Sequence, residues 1–166
     1  MSRGETAMKY CPLCGKDLLS REIDGTVRPC CSSDECSYVF WDNPTPVVAA
    51  IVELDGSVVL VRNRLWPEGM FGLVTGFLER GETPDSAVIR EVREELGLGG
   101  VIAGFVGYYS FFEMNQLILA FHVRATGSVA LGEELSEVRY VSPDRLRPWP
   151  FGTGHAVKDW LERRTA

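Results

Sequence analysis

The chain has 166 residues, 45% of them hydrophobic and 24% charged, with a formal net charge of −6. That length suits one domain of ordinary size with room for a small appended module, and the composition is that of a globular protein. A broad electrostatic grip on nucleic-acid phosphate is disfavoured by the negative charge, and no apolar run approaches the ~20 residues that cross a bilayer.

The opening residues, MSRGETAMKY, lack an apolar core and a small-residue cleavage site. No secretory signal is expected, and the cytoplasm is the default compartment. All five cysteines follow between positions 11 and 36, as Cys11, Cys14, Cys30, Cys31 and Cys36. CPLCG is a tight turn that can aim two thiolates at one ion, and CCSSDEC supplies a second pair after the hairpin-like DLLSREIDGTVRP. In a reducing compartment four soft thiolates read as structural zinc ahead of a disulfide or packed free thiols. Cys31 and Cys36 make the narrower second knuckle, so Cys31 is assigned beside Cys11, Cys14 and Cys36, with Cys30 as the alternative. A ribbon this small cannot bury enough apolar surface to fold alone, and zinc would supply on the order of 10 kcal/mol. Its bases, Lys9, Lys16, Arg21 and Arg28, are outnumbered by Asp17, Glu22, Asp24, Asp34 and Glu35, which makes a poor phosphate surface.

The DNPTP stretch marks a boundary between a ribbon over residues 8–41 and a main domain over 42–166. The main domain opens with a buried strand over 47–53, an Asp-Gly turn and a strand over 57–62. A short strand is expected near 71–75. Thr83 and Pro84 then start a helix that Gly97 stops. Strands follow over 101–109, 116–125 and 137–141, with a last helix over 153–164.

On the 84–96 helix, Val88, Ile89, Val92 and Leu96 form an apolar side, while Glu91, Glu94 and Glu95 share another. Such like charges oppose one another and, in a last turn, oppose the helix dipole. The preceding turn gives them a purpose. Gly76 and Gly81 let the chain fold back, and LERGE sets Glu82 at the helix entrance, within reach of Arg90. A rigid corner presenting three carboxylates suits Mg²⁺ or Mn²⁺, hard ions shared with substrate phosphates.

Gly76, Glu82, Arg90, Glu91, Val92, Glu94, Glu95, Gly97 and Leu98 fill every defined position of G-x5-E-x7-R-E-U-x-E-E-x-G-U, where U is bulky and aliphatic. In this the chain closely resembles the Nudix hydrolase family. The resemblance implies an α/β/α sandwich around a mixed sheet, preceded here by the zinc ribbon, and metal-dependent hydrolysis of a nucleoside diphosphate linked to another moiety. It implies Glu91 and Glu95 as metal ligands, Glu94 as a third, and Glu82 with Arg90 as the brace of the loop. A further carboxylate from outside the box is assigned to Glu134, with Glu133 and Glu137 as the alternatives. One of the helix or loop glutamates would accept the water proton. Arg62 and Arg64 are candidate phosphate clamps, and Phe112, with Tyr108, Phe111 and Trp66, a candidate for stacking a base. His122 and His155 read as structural.

A zinc ribbon before VTGFLERGE is similar to NADH, FAD and ADP-ribose pyrophosphatases, which implies a dinucleotide or ADP-ribose substrate cleaved to AMP and a second monophosphate. Where NADH pyrophosphatases carry Ser-Gln-Pro-Trp, this chain reads YYSFFEMNQLILAF, so NADH is not singled out. A nucleoside triphosphate pyrophosphohydrolase and a nucleotide-sensing regulator are the competing readings. A homodimer is an assembly consistent with the resemblance.

Overall fold

The computed structural model describes residues 8–165. Residues 1–7, on which part of the expectation of no secretory leader rests, and residue 166 at the end of the main domain lie outside them. The chain divides into two compact units, Met1–Asn43 and Pro44–Ala166, parting inside DNPTP.

In the first unit, β1 (Leu18–Ile23) pairs antiparallel with β2 (Thr26–Cys31) around Asp24 and Gly25. Both turn residues have positive φ, as a tight two-residue hairpin requires. The buried residues described in this unit are Cys11, Cys30 and Cys31, so its centre is made of thiols rather than of an aliphatic core.

In the second unit a mixed sheet runs in the order β6 (Gly99–Phe111), β7 (Gln116–Thr126), β3 (Thr45–Leu54), β4 (Ser57–Asn63), β8 (Leu135–Val141), with β5 (Val74–Phe77) also on β3. Its central strand, β3, is parallel to β7 and antiparallel to β4 and β5. The edges are β6 and β8. Successive side chains of β3 alternate between faces. Val48, Ala50 and Val52 join a core with Ala87, Val88, Val92 and Leu96 of α1 (Pro84–Leu96). Val47, Ala49 and Ile51 join another with Ala156, Val157 and Trp160 of α2 (Gly154–Thr165). A strand covered on both faces must be continuously apolar, which is how VVAAIV reads. This is an α/β/α sandwich. Each fully buried valine or leucine contributes roughly 1.5–3 kcal/mol, and Leu96→Ala would cost about 2–5 kcal/mol.

The short strand expected near 71–75 begins later, at Val74. The chain first passes β4, where Val61 and Gly72 exchange backbone hydrogen bonds of 2.9 Å, and only then pairs with β3. β6 is longer than the expected 101–109, and two register shifts, between Ile102 and Gly104 and between Phe105 and Gly107, interrupt it. The expected helix is present at both ends. Thr83 accepts from the Ser86 amide while the Ser86 hydroxyl accepts from the Thr83 amide, Pro84 fills the first turn, and Gly97 closes the helix at φ 67°.

Candidate active site

The turn after β5 and the exposed face of α1 meet at Arg90. Its Nε and Nη2 donate to the two oxygens of Glu82, both at 2.9 Å, Nη1 donates to Glu91 at 2.6 Å and to Glu94 at 3.0 Å, and Nη2 also reaches the Phe77 carbonyl at 3.1 Å. One planar guanidinium therefore ties the end of β5, the loop and the helix together, using the fork geometry that lysine lacks. The Arg90 pair holds the Glu82 carboxyl below the usual carboxylate range, and the neighbouring carboxylates hold the Arg90 proton more firmly than usual.

Glu91 lies against Gly76, leaving no room for a side chain there. Burial raises the Glu91 carboxyl against the pull of Arg90. Glu95, one turn further, is pushed up to about 8, first by burial and then by the charges of Glu91, Glu134 and Glu94. Glu95 Oε2 is buried and has no hydrogen-bond partner among the described residues. Glu134 comes from the loop before β8, which is fastened to the end of α1: the Ala130 and Gly132 amides donate to the Leu96 and Glu95 carbonyls at 2.8 Å each. This gives the carbonyls at the helix end their donors and brings the Glu134 carboxylate into electrostatic range of Glu91 and Glu95. A buried carboxylate oxygen without a donor, on a glutamate whose pKa is raised by burial and by the charges of its acidic neighbours, fits a hard divalent cation with oxygen ligands. The glutamates do not close into a single ligand sphere as they stand, since Arg90 holds Glu91 and Glu94.

The thiols do close. The sulfur atoms of Cys11, Cys14, Cys31 and Cys36 all lie within 4.8 Å of one another, with Cys14 and Cys31 at 3.4 Å and Cys11 and Cys36 at 3.7 Å. Tetrahedral zinc with Zn–S of ~2.3 Å places its sulfurs about 3.8 Å apart. None of the cysteines is in a disulfide. Cys30 stands outside the cluster, its thiol 3.5 Å from the Arg28 carbonyl. Among the described residues this is the only group of His, Cys, Asp or Glu arranged so closely.

A cavity of about 610 Å³ adjoins the carboxylates, sharing Thr75, Gly76 and Phe77 with the strand that leads into them. Trp66, one of the stacking candidates, lines it, as does Phe111. Phe112 is 77% exposed on the turn Phe112–Met114 and does not line it, nor do Tyr108, Arg62 and Arg64. Arg62 pairs with Glu137 at 3.3 Å, so Glu137 faces a base rather than the other acids. Arg64 donates from Nε to the Leu135 carbonyl at 3.0 Å, and its amide to the Glu134 carbonyl at 2.9 Å, beside the acidic loop. His122 is bonded to Glu53 at 2.8 Å on the α2 side of the sheet, away from α1.

The NUDIX domain model matches residues 42–160. The chain belongs to the NUDIX family. It is similar to the NAD-capped RNA hydrolase NudC of Pseudomonas aeruginosa, 26% identical over 162 residues that make up 95% of this chain and 57% of that protein. It is also similar to the ADP-ribose pyrophosphatase of Methanocaldococcus jannaschii, 28% identical over 130 residues, 75% of this chain and 77% of that one. The chain thus spans little more than half the length of the NudC relative. A solved NUDIX hydrolase from Nitrosomonas europaea superposes with a TM-score of 0.81 at 27% identity, covering 95% of this chain and 93% of that one.

Within this NUDIX domain the box was legible because its residues are contiguous. The cavity was not. Its walls come from β3, from residues 66–77, from residues 111–118 and from residues 149–153, which only the fold assembles. WPFG at 149–152, placing two aromatic residues beside a glycine in a loop, was the available signal.

Proposed function

We propose that the chain is a metal-dependent NUDIX hydrolase that cleaves the diphosphate of a nucleoside diphosphate linked to a second moiety, such as a dinucleotide or ADP-ribose, into AMP and a second monophosphate. The observation that carries this reading is the orphaned Glu95 Oε2 amid Glu91, Glu94 and Glu134, beside a corner locked by Arg90. The names of the relatives support the substrate class, since NAD-capped RNA and ADP-ribose both contain an ADP diphosphate.

In this reading Glu91, Glu94, Glu95 and Glu134 would hold Mg²⁺ or Mn²⁺, which would supply charge neutralisation for the diphosphate and a lowered pKa for water. Glu82 and Arg90 keep Glu91 and Glu94 in place. Water attacks one phosphorus, the bond from that phosphorus to the bridging oxygen breaks, and the electron pair leaves with the other phosphate. One of the four glutamates takes the proton. Arg64, exposed beside the Glu134 loop, would meet a phosphate oxygen, and Arg62 would do so on leaving Glu137. Residues 8–41 form a zinc ribbon whose metal, held by Cys11, Cys14, Cys31 and Cys36, supplies the stabilisation its thiol-centred interior lacks. Free thiols at this site suit a reducing compartment such as the cytoplasm. None of the described helices is long and apolar enough to cross a membrane.

Chromatography of products from NADH, FAD, ADP-ribose and nucleoside triphosphates with Mg²⁺ or Mn²⁺ tests this. Equal amounts of AMP and a partner monophosphate, without inorganic pyrophosphate, are expected. Faster release of pyrophosphate from a triphosphate would overturn the substrate class, and tight binding without turnover would favour the sensor.

A further inference from the structure

The clustered thiols of the first unit are unequal in their access to solvent. Cys11 and Cys31 are buried and Cys36 is half-buried, whereas Cys14 is exposed. The path of the chain explains this. CPLCG closes on itself, with the Gly15 amide donating to the Cys11 carbonyl at 2.9 Å, the Cys11 amide donating to the Lys16 carbonyl at 2.7 Å, and Gly15 at φ 73°. Cys11 is thereby enclosed, while Cys14 stays at the rim beside Leu13, which is 73% exposed.

The exposed thiol has a sheltered neighbour. Cys14 Sγ is 3.4 Å from Cys31 Sγ, closer than the 3.7 Å between Cys11 and Cys36. Cys31 is fixed at the end of β2, where its amide donates to the Tyr38 carbonyl at 2.9 Å and its sulfur accepts from the Ser33 amide at 3.5 Å. Cys30 points the other way, because successive side chains of a strand alternate, and its thiol meets the Arg28 carbonyl at 3.5 Å.

An accessible thiolate beside a second thiolate is the arrangement from which a peroxide makes a disulfide. Cys14 attacks the O–O bond of a hydroperoxide: an S–O bond forms, the O–O bond breaks, and the departing oxygen takes a proton and leaves as an alcohol, or as water from hydrogen peroxide. Cys14 is then a sulfenic acid, oxidised by two electrons, and the peroxide is reduced by two. The Cys31 thiolate attacks the Cys14 sulfur, an S–S bond forms, the S–O bond breaks, and hydroxide takes a second proton and leaves as water. A metal held by four thiolates is left with those of Cys11 and Cys36. The buried residues described in this unit are themselves thiols, so loss of the metal removes what holds its interior together. The second unit keeps its own aliphatic cores on both faces of the sheet.

We infer that Cys14 is a modification site, the thiol through which a hydroperoxide opens the cluster, and that Cys31 is its resolving partner. Oxidation then expels the metal and loosens residues 8–41 until a thiol reductant restores them. The inference rests on the zinc reading of this cluster and is independent of the hydrolase reading.

The zinc-loaded full chain is titrated with hydrogen peroxide beside a chromogenic zinc chelator, then alkylated and mapped by peptide mass spectrometry. One zinc ion should be released per disulfide formed, the first disulfide should join Cys14 to Cys31, and Cys30 should remain a thiol. Dithiothreitol with added zinc should return the metal and the original alkylation pattern. Cys30→Ser should release zinc at the parent's rate and through the same disulfide. A first disulfide within one knuckle, Cys11 with Cys14 or Cys31 with Cys36, would overturn the assignment, as would zinc retained in a large molar excess of peroxide. Slower release from Cys30→Ser, with Cys30 in the parent's first disulfide, would replace Cys31 as the resolving thiol and overturn it too. If the purified protein holds no zinc and peroxide still joins Cys14 to Cys31, the modification site stands and the zinc reading falls.

Discussion

Gly76 and Glu91 occupy adjoining space so completely that a β-carbon on Gly76 would overlap the Glu91 carboxyl group. The glycine is needed by its neighbour rather than by its own backbone, because Gly76 lies in β5 paired with Val48 and has no positive φ. Gly76→Ala should therefore leave the sheet paired but push Glu91 out of line with Glu94 and Glu95. A displacement of about 1 Å in a reacting geometry can cost roughly 10²-fold. The kcat/KM for whichever diphosphate the parent cleaves should fall by that order, with the circular dichroism spectrum retained. Parent-like kinetics in Gly76→Ala would show that the Glu91 position is unimportant.

Glu95 combines a buried oxygen without a partner and a pKa raised to about 8 by burial and three neighbouring carboxylates. Replacing it with an amide removes a charge the fold does not satisfy. Glu95→Gln should lower kcat by roughly 10²-fold or more. Its Tm without added Mg²⁺ should be no lower than the parent's, since no folded-state contact to that oxygen is lost. Glu134→Gln should lower kcat less. Thermal scans and steady-state kinetics on the same preparations check both, and full activity of Glu95→Gln at saturating Mg²⁺ would remove it from the metal site.

The thiol cluster makes a sharper prediction, because adjacent cysteines differ in their surroundings. Cys31 Sγ is 3.4 Å from Cys14 Sγ, whereas Cys30 Sγ faces the Arg28 carbonyl. Elemental analysis should find one zinc per chain in the parent and in Cys30→Ser, and little in Cys31→Ser. Equal retention in both serine variants would mean that the second knuckle was misassigned.

The helix and its acids were readable from the chain because every relation that matters there is local. Thr83, Pro84 and Gly97 delimit α1, and Glu82 and Arg90 are eight residues apart on a turn and the helix it enters. The two-sided burial of β3 was equally visible in VVAAIV. Three features depended on pairings distant in sequence. The short strand starts at Val74 because Gly72 is first used by β4, Glu134 approaches Glu95 because residues 130–132 bond to the end of α1, and the aromatic cavity joins four separate segments. Of the adjacent stacking candidates Phe111 and Phe112, a 3₁₀ turn carries Phe112 outward and Phe111 lines the cavity, a difference that neighbours in sequence do not show.

On the opposite side of the sheet, His122 gives the fold a pH dependence independent of the acidic corner. Its ring is nearly buried between β3, β7 and α2: Glu53 accepts at 2.8 Å, Trp160 meets it edge-on with ring centres 5.2 Å apart, and Arg124 and Arg164 are the nearby cations. The Glu53 carboxylate favours a proton on the ring, but Arg164 also bonds both oxygens of Glu53, at 3.3 and 3.4 Å, and divides its charge. Burial outweighs the remaining attraction, so the His122 pKa is lowered below 6.5. The unfolded chain then binds this proton more readily than the folded one. The stabilisation is complete above about pH 6.5 and is lost as pH falls from there through the folded pKa. Denaturant melts of the parent between pH 5 and 8 should show stability declining on the acid side of that window, and His122→Gln should flatten the part of the decline that this ring causes. An unchanged slope in His122→Gln would remove the ring as the cause of the decline, and a ring that titrates above 6.5 by NMR would reverse the sign and make Glu53 the stronger influence.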